Sequence, residues 1–228
     1  MPAVRSISLG LWFNVGSRDE TVSQAGLTHF MEHMMFKGTS TMGPLDISMH
    51  FDKLGAEFNA FTSKEYTCYC ARFVDDRLED ALSVLAEMVI DSVFAQDAID
   101  TEREVVLEEI ARSEDAPDDY VFELYSSKTF KNHPLGLPVL GSREQVSSYT
   151  HDDCRNFHDT HYHAGNLVLA AAGNVDHDAL VKLTQKHFES MKPGIKAQRV
   201  LDKPTFNSGV YSATRDTEQA QLIYGFPW

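Results

Sequence analysis

The chain has 228 residues, of which 34 are acidic, 20 are basic and 43% are hydrophobic, and its formal net charge is −14. The hydrophobic content is high enough for a folded core and excludes an intrinsically disordered chain. The acidic excess is unfavourable for nucleic acid and for an anionic membrane surface, so we expect neither as a partner. It suits a cationic substrate, although many folded proteins are simply acidic.

The predicted elements alternate between strands and helices. A strand is expected over 4–15, helices over 26–36 and 45–54, and a hairpin from strands 56–61 and 66–73. Helical spacing follows over 76–93, 97–112, 118–130 and from Thr150, and then come a buried strand over 166–173, a helix over 176–188 and closing strands over 209–214 and 219–226. This order predicts an α+β fold in which a mostly antiparallel sheet packs with helices, as one domain over 1–228.

The first helix carries His29, Glu32 and His33 in the spacing H-x-x-E-H. Residues four apart share a helix face, so both imidazoles can reach one metal ion, and Glu32 can take a proton from a water beside it. The alternative is a solvated polar face on a surface helix. The neighbouring side chains make the helix too apolar for that; they are Leu27, Phe30, Met31, Met34 and Met35.

A catalytic zinc needs a third protein ligand, and the acidic helix over 101–112 is the best source. Glu102 and Glu109 are seven residues apart, about two helical turns, and therefore share a face. A solvated stripe of charge is the alternative for any acidic helix. The need for a third ligand favours the metal site.

Six segments stand out along the chain: GSRDE over 16–20, HFMEHMMFKGT over 29–39, NAFTSKE over 59–65, EREVVLEE over 102–109, HPLG over 133–136 and YHAGN over 162–166. Together they resemble the N-terminal catalytic half of the pitrilysin-type (inverzincin) zinc metallopeptidases, especially the β subunit of the mitochondrial processing peptidase and its bacterial relatives. Their order along the chain makes the resemblance specific.

The resemblance implies a role for each matched residue. His29, His33 and Glu109 would hold zinc, and Glu32 would be the general base. Glu102 would be a second catalytic residue, which supports the zinc site. Three groups of residues would bind the substrate. Phe36 would line the pocket just past the scissile bond, and Asn59 and Ala60 would lie on an edge strand that pairs with the peptide. Asp119 and Glu123 would attract a substrate arginine. From the residues alone, Asp119 and Glu123 are equally well explained as solvated helix charges.

The implied function is a zinc-dependent endopeptidase acting on extended peptides or unfolded protein segments, in the processing-peptidase-like metallohydrolase fold. A non-catalytic core or partner subunit of the same family is the alternative, and the intact motif favours the enzyme. Such proteins carry a second half, which we expect to be absent here. A second domain or partner subunit would then complete the active-site chamber, and the isolated fragment would be weakly active or inactive.

The expected location is the cytoplasm, with the mitochondrial matrix as the alternative. Three cysteines, Cys68, Cys70 and Cys154, are too few for a disulfide framework and favour a reducing compartment. Neither a signal peptide nor a membrane-spanning run is expected from the sequence.

Overall fold

A computed structural model describes residues 1–195, 199, 203–216 and 218–227. Within them the chain forms a four-stranded sheet in the order β2-β3-β1-β4, and each neighbouring pair is antiparallel. The strands are β1 Ser6–Phe13, β2 Glu57–Thr62, β3 Thr67–Val74 and β4 Leu167–Gly173.

The α-helices of the described residues are α1 Leu27–Met34, α2 Pro44–Lys53, α3 Leu78–Asp91, α4 Gln96–Asp115, α5 Pro117–Thr129, α6 Arg143–Ser148, α7 His151–His161 and α8 His177–Phe188. None of these helices is both long enough and apolar enough to cross a bilayer. The predicted α+β class, with a mostly antiparallel sheet and packed helices, is confirmed.

One face of the sheet carries the core. The inward residues of β1 alternate along the strand as a two-residue period requires, and all are buried: Ile7, Leu9, Leu11 and Phe13. Helix α1 packs against β2 and against α4. The fold therefore buries the helix that carries the H-x-x-E-H residues.

The other face of the sheet is more open. Trp12 forms an aromatic cluster with Phe61 and Tyr66, at ring-centroid distances of 5.6 and 5.3 Å. Val168 on β4, which pairs with Trp12, is 64% exposed. The prediction of a buried strand over 166–173 is therefore wrong in one respect, because the residues of β4 alternate between half-buried and exposed at the edge of the sheet.

The prediction of two closing strands, over 209–214 and 219–226, is also wrong, because those residues form no strand in the structure. Apolar alternation gives strand propensity but not the partner that a hydrogen-bonded ladder needs. The two segments lie beside α5 instead, around Leu124 and Val121.

Candidate metal centre

Helix α1 is buried over most of its length, and His29 is only 7% exposed. The helix is preceded by Gly26, whose φ of 95° lies in the left-handed region that favours glycine. A β-carbon at this position would also come within 2.5 Å of the carbonyl oxygen of Leu140. The turn before α1 thus requires a glycine, and it sets the direction in which His29 and His33 point.

The structure brings three of the predicted site residues together. Nε2 of His33 lies 3.2 Å from Nε2 of His29. Oε2 of Glu109, from α4, lies 3.6 Å from Nε2 of His29 and 3.5 Å from Nε2 of His33. In the described part of the chain, these three residues form the one group of at least three His, Cys, Asp or Glu side chains close enough to hold a metal ion.

The spacing of these three atoms fits zinc. Tetrahedral ligands at their usual bond lengths from zinc lie about 3.3 Å from one another. The observed separations of 3.2, 3.5 and 3.6 Å bracket that value. Two imidazoles, one carboxylate and an open fourth position also form the donor set of many catalytic zinc sites.

The pKa values of the two histidines move in opposite directions. Burial, reinforced by the nearby His33, lowers the pKa of His29 to about 3, so its imidazole is neutral and can donate a lone pair to a metal. Burial opposes charge on His33 as well. The hydrogen bond and negative charge of Glu102, with the charges of Glu109 and Glu32, outweigh it and raise the pKa of His33.

Glu102 approaches the site without joining the three donor atoms. It is 3% exposed; Oε1 lies 2.7 Å from Nδ1 of His33, and Oε2 lies 2.6 Å from Nζ of Lys37. Burial alone would raise the pKa of Glu102, but His33 and Lys37 reverse the effect and lower it. Glu102 is therefore placed to orient His33 through its outer ring nitrogen, the contact that fixes most metal-bound histidines.

Glu32 lies on the same helix, half-buried, and accepts a 2.5 Å hydrogen bond from Oγ1 of Thr62 at the end of β2. Burial raises the pKa of Glu32, and the bond from Thr62 and the charge of His33 oppose the change. A carboxylate with a raised pKa is a better proton acceptor near neutral pH.

Asp119 and Glu123 lie one turn apart on α5 and line an open cleft of about 700 Å³. Glu109 lines the same cleft, together with the apolar side chains of Phe122 and Leu140. Burial and the charge of Asp119 raise the pKa of Glu123, and the charge of Lys64 opposes this shift. Five acidic residues and one arginine line the cleft, so it carries a net negative charge, and it adjoins the three donor atoms.

Strand β2 carries Asn59 and Ala60 at one edge of the sheet, where it pairs only with β3 among the described strands. Its outer edge can therefore accept a further strand. Phe36 lies just beyond the end of α1 and is half-buried. The centre of its ring is 5.6 Å from that of Phe58, which lies on β2.

Three residues near the site had no predicted role: Thr62, which contacts Glu32; Lys37, which contacts Glu102; and Lys64, whose Nζ donates to the carbonyl oxygen of Leu137. All three lie inside segments that resemble the family. Their contacts depend on how the hairpin and α4 pack against α1, which no local pattern encodes.

Residues 2–143, more than half of the chain, match the model "Insulinase (Peptidase family M16)". The chain belongs to the M16 peptidase family. Residues 148–228 match a second model, "Peptidase M16 inactive domain". His29, Glu32, His33 and Glu109 all lie within the first match.

Curated relatives are similar along nearly the whole chain. An uncharacterized zinc protease of Bacillus subtilis, YmxG, is 44% identical over 225 residues, which is 99% of this chain and 54% of the relative. An uncharacterized zinc protease of Rickettsia felis is 42% identical over 226 residues, again 99% of this chain and 54% of the relative. The chain thus spans about half the length of the curated relatives it matches.

Solved structures share the fold of this chain. A protease from Helicobacter pylori superposes with a TM-score of 0.79 at 26% identity, covering 88% of this chain and 48% of that one. A Pseudomonas fluorescens structure described as a peptidase M16 inactive domain gives a TM-score of 0.83 at 20% identity, over 90% of this chain and 50% of that one. At that identity the second likeness concerns the fold alone.

Proposed function

We propose that this chain is the catalytic part of a zinc-dependent endopeptidase that hydrolyses peptide bonds in extended peptides or unfolded protein segments. The observation that carries the proposal is the grouping of His29, His33 and Glu109, whose three donor atoms lie 3.2 to 3.6 Å apart. The relatives named as zinc proteases support the choice of metal.

A zinc ion held there would lower the pKa of a water molecule and polarise the scissile carbonyl. The proton transfers and the orientation of the groups would be carried out by side chains of this protein. Glu32 would accept the proton of the attacking water and pass it to the leaving amine, and its raised pKa suits both steps. Thr62 would hold the Glu32 carboxylate, and Glu102 would hold His33 in the orientation that presents Nε2 to the metal.

The substrate would bind along β2, pairing its backbone with the edge that carries Asn59 and Ala60. Side chains on one face of this added strand would then approach Phe36 and the acidic cleft. Asp119 and Glu123 would attract an arginine or lysine, because a cleft of one sign concentrates ligands of the other.

The active-site chamber would be completed by a second domain or partner subunit, with residues 1–228 as the N-terminal, zinc-binding unit. The chain matches about half the length of its relatives, which supports this view. Alone, the chain would bind zinc but cleave peptides weakly or not at all, since positioning of the substrate is a large part of catalysis.

A non-catalytic role within the family is the second candidate, favoured by the match of residues 148–228 to the inactive-domain model. The candidate ligands and base lie outside that match, within residues 2–143. Their presence as a complete set favours the enzyme.

Zinc binding by the purified chain tests the proposal directly. We expect one zinc per chain by elemental analysis after dialysis, and its loss in a Glu109→Gln variant. Glu108→Gln, an exposed neighbour on α4, is the matched control and should retain zinc. An unchanged chain that does not bind added zinc would refute the metal site.

A cleavage assay separates the two functions. A polypeptide of the relatives' full length that carries this chain should cleave unfolded peptides, and removing its zinc should abolish the cleavage. Zinc binding without cleavage of any peptide in a mixed library would favour the non-catalytic role.

A further inference from the structure

Glu20 is a buried carboxylate, 6% exposed, in the GSRDE segment. Its two oxygens accept hydrogen bonds from two backbone amides at the start of α1: Oε2 from the N–H of Gly26 at 2.8 Å, and Oε1 from the N–H of Thr28 at 2.7 Å. Thr28 immediately precedes His29. The carboxylate thus fixes the backbone one residue before a candidate ligand.

These amides need an acceptor. The first N–H groups of a helix have no intrahelical partner, and in a buried helix water cannot replace one. Gly26 has no side chain with which to cap the helix. An acidic group at a helix N-terminus also meets the positive end of the helix dipole. Glu20 supplies both the acceptors and the charge from six residues upstream.

Other contacts hold the same turn from outside the helix. The hydroxyl of Tyr149 donates to the carbonyl oxygen of Ala25 at 2.7 Å. Gly141 packs so closely that an added β-carbon would lie 2.1 Å from that same oxygen. The turn at residues 25–28 is therefore fixed by its neighbours, and Glu20 is the contact that reaches the helical amides themselves.

We propose that Glu20 is a positioning residue, which clamps the first turn of α1 so that His29 and His33 are held in register with Glu109 before the metal binds. This inference rests on the proposed zinc site. It predicts that removing one acceptor from Glu20 weakens zinc binding by more than the accompanying loss of overall stability would.

The test compares Glu20→Gln with Asp176→Ala. A glutamine keeps the size of the side chain, but its amide NH2 group replaces one of the two acceptor oxygens and cannot accept from a backbone N–H. Asp176 caps α8, accepting from the N–H of Ala179 at 2.9 Å, on a helix that carries no candidate ligand. Both changes remove a helix-capping acceptor, but Asp176 is exposed and Glu20 is buried, so the stability lost in each variant is measured by urea unfolding and set against its loss of zinc affinity.

The measurements are zinc affinity by chelator competition and amide exchange of Thr28 by NMR in the metal-free chain, both at pH 8. Burial, opposed by the bonds from Thr28 and Gly26, raises the pKa of Glu20 to about 7, so at pH 8 the carboxylate is ionised. In Glu20→Gln we expect Thr28 to exchange at least about five times faster, as for loss of a typical cap, and zinc affinity to fall by at least about fivefold.

Asp176→Ala should change neither quantity. Unchanged zinc affinity and unchanged Thr28 exchange in Glu20→Gln would overturn the inference, as would an equal loss of zinc affinity in both variants. If Glu20→Gln does not fold, Glu20→Asp, which keeps the charge but is too short to span both amides, is measured instead against the same criteria. Absence of zinc binding in the unchanged chain would refute the zinc site, while the Thr28 exchange rate would still report on the clamp.

Discussion

Oε1 of Glu102 lies 2.7 Å from Nδ1 of His33, and this contact separates the roles of two glutamates on one helix. Glu109 lies near the Nε2 atoms of both histidines, whereas Glu102 contacts the opposite side of the His33 ring. Seven residues of α4 place the two carboxylates on one face, two turns apart. One can serve as a ligand and the other as a support for a ligand.

Replacing Glu102 by glutamine should therefore weaken zinc binding without abolishing it. Loss of such a supporting contact costs about 10- to 100-fold in metal affinity. Chelator competition on the purified chain measures the effect, with Glu108→Gln as the control. A Glu102→Gln affinity equal to that of the unchanged chain would show that His33 needs no support from this carboxylate.

Replacing Glu32 by glutamine should leave zinc in place and remove most of the cleavage. An amide cannot accept the water's proton, and loss of a general base lowers the rate by about 10²- to 10⁴-fold. The assay uses the full-length polypeptide, with zinc content measured on the same sample. Cleavage within a few-fold of the unchanged protein would exclude Glu32 as the base.

Replacing Asp119 and Glu123 by asparagine and glutamine should reduce the preference for peptides with arginine or lysine a few residues before the cut. Cleavage of matched neutral peptides should change little. The quantity to compare is the ratio of kcat/KM for basic and neutral peptides, and it should also fall with salt, which screens the attraction. Asp118→Asn, an exposed change on the same helix that lies outside the cleft lining, is the control. A ratio unmoved by the double change would leave both acids as solvated helix charges.

The metal-free chain should lose stability as the pH falls below neutrality, in part through His158. Burial lowers the pKa of His158 below the ordinary 6.5, although its contact with the carbonyl oxygen of Val89 and the charge of Asp159 oppose the shift, and the charge of Arg155 assists it. The unfolded chain then binds the proton more tightly. The stability from neutral His158 is present above pH 6.5 and is lost as the pH falls below it.

Urea unfolding midpoints at pH 7.5, 6.5 and 5.5, with a chelator present, measure this dependence. His158→Gln should show a shallower decline than the unchanged chain, whatever its stability at neutral pH. His151→Gln, at a half-buried position of the same helix, is the control. Equal slopes in all three proteins would exclude His158 as a contributor.

Much of the site followed from local sequence because its parts lie on regular helices. The spacing of His29 and His33 placed both rings on one face of α1, and the apolar neighbours of that helix correctly indicated its burial. The same helical period placed Glu102 and Glu109 together on α4. What it could not decide is which carboxylate reaches which side of the imidazoles, because that depends on how α4 crosses α1.

The errors in the fold have a similar origin. Helix α6, Arg143–Ser148, was not predicted, since it has only six residues and follows a loop rich in proline and glycine. The small side chains of Ala170 and Ala172 on β4 are compatible with either a buried or an open face, so an apolar run suggested complete burial there. Pairing and exposure are decided by distant parts of the chain.

Strand β2 combines two features that no other described strand has together. Its outer edge is open, and its last residue, Thr62, holds Glu32. A peptide that paired with this edge would stiffen the same strand that restrains Glu32, the proposed general base. Binding of a substrate would then order the Glu32 carboxylate, so that this group is best aligned when there is a peptide bond to cut.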